Sequence, residues 1–330
     1  MRVGGWRANR GRDSRMAFMG ISTWIRGARL KTLPLAVAPV LIGASLAWHD
    51  AAGHRVVVAV LCGFVALLLQ IAANFANDYS DGIRGTDAGR SVPVKDADDS
   101  AVSGKATPSR GPARLVASGV NPKKVLAAAG ISALTACLCG LAVIALTGYW
   151  WFILVGIACL VAGWFYVGGK HPYGYHYLGE VFVFVFFGLV ATCGTMFALS
   201  GTISASGLLG GSAAGLVAVA VLCVNNLRDI ESDRNHGKHT WMTAMGLRNG
   251  TIFTIAILII SALIALRHLL QSSIYAANGI PLIAIIAILC AAQIAASYAI
   301  ARKTYRRALP LCSLDSLIVA AIFVLSTMLA

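Results

Sequence analysis

Apolar runs of about 20 residues recur along the whole of this 330-residue chain and leave it almost no soluble fold to adopt. Nine such runs fall at roughly 33–48, 56–77, 124–146, 149–168, 178–200, 207–228, 251–267, 279–300 and 311–329. Inside a bilayer every backbone N–H and C=O must find its partner within the protein, so runs of this length are read as helices. Charged residues make up 12% of the chain, against about 25% in an ordinary soluble domain. The expectation is an all-α membrane protein, a bundle of about nine transmembrane helices. Residues 1–21 read as a basic, disordered tail without the apolar core of a secretory signal. Residues 22–330 read as one transmembrane domain, with 88–109 a flexible polar loop inside it.

A net charge of +14 suggests nucleic acid until its distribution is traced. With the N-terminus in the cytoplasm and sides alternating through nine spans, the inside segments are 1–32, 78–123, 169–177, 229–250 and 301–310. Of the 27 Lys and Arg residues, all but Arg55 and Arg267 fall in or at the border of these segments. That is a positive-inside pattern in a multi-pass protein of the cell's inner or plasma membrane. The partner it implies is the lipid bilayer, not nucleic acid. The eight cysteines lie in or beside apolar runs without metal-ligand spacing and read as small buried hydrophobes.

Carboxylates are scarce and clustered. Six of the 13 acidic residues fall in two windows, Asn74 to Asp87 and Asn225 to Arg234, each closing a long apolar run. Residues three, four and seven apart share a helix face. Asn74, Asp78 and Asp81 therefore form one stripe and Asn225, Asp229 and Asp233 another. They end the second and sixth spans, a weak internal repeat of two four-helix halves with a ninth helix added. Unpaired carboxylates so placed repel each other and lose hydration. A hard divalent cation relieves both, and Mg²⁺ is usually held by one or two carboxylates plus phosphate oxygens. Two clusters suggest two Mg²⁺ ions, with Mn²⁺ as a substitute, and a diphosphate between them. Arg84, Arg110, Arg114, Arg228, Arg234 and Lys238 are the cations at hand. At a membrane-embedded site the substrate is expected to be a lipid diphosphate.

These residues resemble the paired Asp-rich motifs of the UbiA superfamily of intramembrane prenyltransferases, over about residues 22–330. Four stretches point within it to the MenA-type branch, the 1,4-dihydroxy-2-naphthoate polyprenyltransferases. They are Trp24 to Pro34, Asn77-Asp-Tyr-Ser-Asp81-Gly-Ile-Arg-Gly85-Thr-Asp87, Tyr166 to Glu180 with its Pro172-Tyr-Gly-Tyr175, and Asn226-Leu-Arg-Asp229-Ile-Glu-Ser-Asp233.

The resemblance implies a UbiA-like bundle with a cytoplasm-facing polar cap and a Mg²⁺-dependent transfer of a polyprenyl group from a polyprenyl diphosphate to 1,4-dihydroxy-2-naphthoate. Pyrophosphate and CO₂ leave and a demethylmenaquinol is made, a step of menaquinone biosynthesis. Asp78, Asp81, Asp229, Asp233 and Lys238 would act on the diphosphate. Asn77, Asp87, Arg84, Arg110, Arg114, Arg228 and Lys170 would help hold the substrates. Tyr166, Tyr173 and Tyr175 would shelter an allylic cation. Glu180, opening the fifth span, would orient or deprotonate the acceptor, and Arg29 with Lys31 would meet its carboxylate. Asp315, in the last span, is explained as well by an ion pair with Arg306 or Arg307.

Two features depart from the branch. The stretch Ala88 to Ser109 is longer than expected, and Trp241 and Met245 interrupt the usual Thr-rich apolar helix start after Lys238. A hydroxybenzoate, homogentisate, haem or sugar-phosphate acceptor would leave the diphosphate site unchanged. A secondary transporter would want ionisable residues at the bilayer midplane, whereas these carboxylates lie at helix ends.

Overall fold

The computed structural model describes residues 21–51, 53–84, 114–169, 172–271 and 282–328. Residues 1–20 of the expected tail and the loop 88–109 lie outside them, while Ile21, the last residue of that tail, opens a helix. Ten helices build the described chain: α1 (Ile21–Gly27), α2 (Pro34–Leu46), α3 (Arg55–Arg84), α4 (Pro122–Thr147), α5 (Phe152–Val167), α6 (Gly179–Ser200), α7 (Ala205–Asn235), α8 (Trp241–Gln271), α9 (Leu282–Ala301) and α10 (Tyr305–Met328). Seven of them, α3, α4 and α6 to α10, are long and apolar enough to cross a membrane. An eighth span results if α1 and α2 count as one helix bent by 51°. The sequence leads to nine. The difference is α5, which at 16 residues falls short of the length a full crossing needs.

Local chemistry sets the helix starts. Asn121 accepts a hydrogen bond from the Lys123 amide at 2.9 Å, and Pro122 opens α4 behind it. Ser204 caps α7 by accepting from Gly207 N at 3.1 Å. At α8 the Thr243 hydroxyl accepts from Thr240 N at 2.8 Å and the Thr240 hydroxyl accepts from Thr243 N at 3.2 Å, a reciprocal cap.

Helix α7 is the central post, with 72% of its most apolar window buried against 11% for α3. Its buried face is nearly all Gly, Ala and Val, from Gly207 to Val224. Small residues let helix backbones approach closely where no hydrophobic effect between helices drives them together. A Cβ at Gly188 of α6 would stand 2.6 Å from the Gly215 Cα, so these two backbones touch. Gly188 lies in a π-helical stretch of α6, Phe184–Val190. On α4 the opposite logic holds. Ile131, Leu134, Leu138 and Leu141 form an exposed apolar stripe, as a lipid-facing side should.

Helices α3 and α7 have 30 and 31 residues. At about 1.5 Å per residue each is some 45 Å long, more than the ~30 Å of hydrocarbon, so their last turns reach beyond it. Both acidic clusters sit on those last turns.

Candidate active site

The first cluster is built around a single helical turn, Arg114 to Gly119. Its leading amides have no partner within the turn, and α3 supplies one. Asp78 Oδ2 accepts from Leu115 N at 2.9 Å and Oδ1 from Val116 N at 3.2 Å. Leu115 then packs on Gly27 and Phe75, and Val116 on Gly82, positions where a Cβ would collide. Asp78 is 1% exposed. One helical turn deeper, Asn74 donates to Ala28 O at 2.9 Å and accepts from Gln70 Nε2 at 3.3 Å, which ties α3 to the bend between α1 and α2. Arg29, at that bend, is close enough to Asp78 for their charges to interact. Asp81 is the outermost of the stripe. It accepts from Arg114 at 3.2 Å on one oxygen and from the Tyr175 hydroxyl at 3.3 Å on the other.

The second cluster, on α7, is also ion-paired. Arg228 makes two hydrogen bonds to its neighbour Asp229, at 2.9 and 2.6 Å. Lys238 reaches back to Asp233 at 3.1 Å. Asn225 donates to Val221 O of its own helix at 3.2 Å. The Arg234 guanidinium turns away to Thr243 O, 2.9 Å distant.

Two loops lock the clusters together. Tyr177 N donates to His239 O and His239 N to Tyr175 O, both at 3.0 Å, so the segment after α5 pairs with the segment after α7. The Trp241 indole N–H adds a bond to Tyr177 O at 2.8 Å. This zipper places the Tyr175 ring between the halves. Arg84 lies 5.2 Å and Lys238 5.8 Å from its centroid, and Arg84 also donates to Gly169 O at 3.0 Å. The path Asp81–Tyr175–Lys238–Asp233 thus runs from one cluster to the other, and Asp233 lies within the electrostatic reach of both Asp229 and Asp81.

Burial, with the nearby Asp81 charge, pushes the Tyr175 hydroxyl up to about 12, and burial alone does the same at Tyr173. Both stay neutral hydrogen-bond donors at physiological pH. Tyr173 donates to Ala162 O at 2.7 Å, and its ring packs edge-on to Tyr166 at 5.6 Å. Tyr166 lies within electrostatic reach of both Glu180 and Asp81.

Glu180 is 1% exposed, at the start of α6. Its Oε1 accepts from Asn226 Nδ2 at 3.2 Å and from Trp241 N at 3.3 Å. Asn226 in turn accepts from Lys238 at 3.5 Å. The motifs contain Asn226, yet its linking role is invisible in them. The one signal is a polar side chain in an apolar run, three residues before Asp229 and seven before Asp233. Asn77 is half-buried on α3 beside Asp78. Asp87, Arg110 and Lys170 lie outside the described residues. Asp315, on α10, takes 2.9 and 2.8 Å hydrogen bonds from Gln293 of α9. The arginines considered as its partners, Arg306 and Arg307, lie about two turns back along α10.

The donor set suits Mg²⁺ in a specific way. Among the described residues no three His, Cys, Asp or Glu side chains converge into a ready metal cage. Asp81, Asp229 and Asp233 are only partly buried, at 21%, 14% and 11% side-chain exposure, and offer hard oxygens, the first two within electrostatic reach of Asp233. Asp78 has a second lone pair on each oxygen beyond its amide bonds. Such a set fits an ion that completes its shell with water and phosphate oxygens.

The profile of the UbiA prenyltransferase family matches residues 36–314. This chain belongs to that family, and it is a multi-pass integral membrane protein. It is 42% identical over 226 residues, 68% of this chain and 69% of the other, to a 1,4-dihydroxy-2-naphthoate octaprenyltransferase of Mycobacterium leprae. A protein of the same name from Haemophilus influenzae is 34% identical over 270 residues, 80% of this chain and 82% of its own. In architecture the chain is similar to a UbiA homolog from Aeropyrum pernix, with a TM-score of 0.62 at 15% identity over 89% of this chain and 97% of that one. A second, from Archaeoglobus fulgidus, whose structure was solved bound to DMAPP and Mg²⁺, gives 0.54 at 13% identity over 91% and 99%.

Proposed function

We propose that this protein transfers a polyprenyl group from a polyprenyl diphosphate to 1,4-dihydroxy-2-naphthoate. Pyrophosphate and CO₂ are released and a demethylmenaquinol is formed, on the cytoplasmic side of the cell's inner or plasma membrane, with the N-terminus inside. The family and the names of the relatives support the reaction class and acceptor. The observation that supports the reading is the Asp81–Tyr175–Lys238–Asp233 path, which links the two acidic clusters.

Asp81, Asp229 and Asp233, backed by Asp78, Asn74 and Asn225, would hold Mg²⁺. Bound there, the metal supplies neutralising charge for the diphosphate and polarises its leaving oxygen. The chain's own cations do the rest. Arg114, Arg228 and Lys238 now rest against Asp81, Asp229 and Asp233, and substrate lets each turn to a phosphate oxygen. Donors aimed at a leaving group stabilise the charge that develops on it. The rings of Tyr166, Tyr173 and Tyr175 shield the allylic cation from water. Glu180 holds or deprotonates an acceptor hydroxyl.

Purified protein is given a polyprenyl diphosphate, Mg²⁺ and, in turn, 1,4-dihydroxy-2-naphthoate, 4-hydroxybenzoate and homogentisate. Pyrophosphate release that depends on the naphthoate is expected. Release with another acid alone rejects the acceptor, and full activity in Asp229→Ala rejects the metal assignment.

A further inference from the structure

We propose that Asn226 is a positioning residue that aims Glu180 at the acceptor and ties that aim to the charge of Lys238. This rests on the prenyl-transfer reading above. Asn226 is 3% exposed and Glu180 1%, so neither has water to fall back on. A buried carboxamide between two groups can point only one way when one of them is an ammonium. Lys238 offers donors alone, so the Asn226 oxygen must face it, and the N–H₂ must face Glu180. The distances agree: 3.5 Å from Lys238 Nζ to Asn226 Oδ1 and 3.2 Å from Asn226 Nδ2 to Glu180 Oε1. Trp241 N sends a second bond to the same oxygen at 3.3 Å. Oε1 is therefore committed twice, and the Glu180 backbone amide also donates to the carboxylate. Each carboxylate oxygen has two lone pairs, so Oε2 can still accept from the acceptor's hydroxyl.

Helix geometry gives this arrangement its meaning. Asn226 precedes Asp229 by three residues and Asp233 by seven, so all three share one face of α7. The diphosphate side and the acceptor side are thus carried on one rigid element. Lys238 holds Asp233 with the same ammonium that orients Asn226.

Asn226→Asp tests the inference. It keeps the shape and replaces the donor by an acceptor facing Glu180. Loss of one buried hydrogen bond to a charged group predicts a fall in kcat of about 10- to 100-fold. The KM for the naphthoate should rise, and in Asn226→Ser, which adds no charge beside Lys238, the KM for polyprenyl diphosphate should stay within about twofold. Asn226→Gln, which keeps both polar groups on a longer stem, should recover part of the kcat. If Asn226→Asp does not fold, Asn226→Ser decides by the same split. A kcat near that of the original protein, or a loss shared equally by the KM values of both substrates, overturns the role. An original chain that transfers nothing to the naphthoate removes the function itself, a result distinct from any change in the variants.

Discussion

Asp78→Asn separates scaffold from chemistry at the first cluster. Asp78 holds the 114–119 turn by accepting from two successive backbone amides, at 2.9 and 3.2 Å, from a position 37 residues away in sequence. A carboxamide accepts with one oxygen only, and its N–H₂ would point at the second amide. One hydrogen bond to a charged acceptor is worth about 1.5–3 kcal/mol, and at about 1.4 kcal/mol per decade its loss raises local opening roughly 10- to 100-fold. Hydrogen–deuterium exchange of the peptide spanning 114–120 reads this directly. Asp81→Asn is the control. It removes the charge opposite Arg114 but leaves both amide bonds to Asp78 in place, so exchange should rise less than in Asp78→Asn. Both variants should lose turnover, so activity cannot tell them apart but exchange can. Wild-type protection in Asp78→Asn, or equal deprotection in Asp81→Asn, would refute the view of Asp78 as the anchor of this turn.

Gly188→Ala would drive a methyl into the Gly215 backbone 2.6 Å away and should lower the thermal midpoint in detergent by an overpacking cost of about 1–3 kcal/mol. Gln293→Leu strips Asp315, itself fully buried, of the only two side-chain hydrogen bonds it receives from described residues. The expected cost is about 1.5–3 kcal/mol, seen as a fall in the unfolding midpoint, with the KM of any protein that still folds unchanged. Chelation with EDTA should abolish pyrophosphate release, and Mg²⁺ or Mn²⁺ should restore it while Ca²⁺, with its larger and looser shell, restores less.

The membrane-spanning character of this protein lies in the sequence alone, because the length of an apolar run and the hydrogen-bonding demand of lipid act locally. The two Asp stripes and their family likeness are equally local, since three- and four-residue spacing decides which side chains share a helix face. Helix α5 shows the limit: its apolar run extends through residues 149–168, but the described helix spans only Phe152–Val167. Other features depend on residues far apart in sequence. Asp78 meets Leu115, Glu180 meets Trp241, and Asp315 meets Gln293 in place of a nearby arginine. Tyr175 and His239 join two loops that 63 intervening residues keep apart in the chain. Such pairs form only once the helices pack, as where the small-residue face of α7 lets α6 close in. That closure buries polar groups, which must then find whatever partner the packing brings within reach.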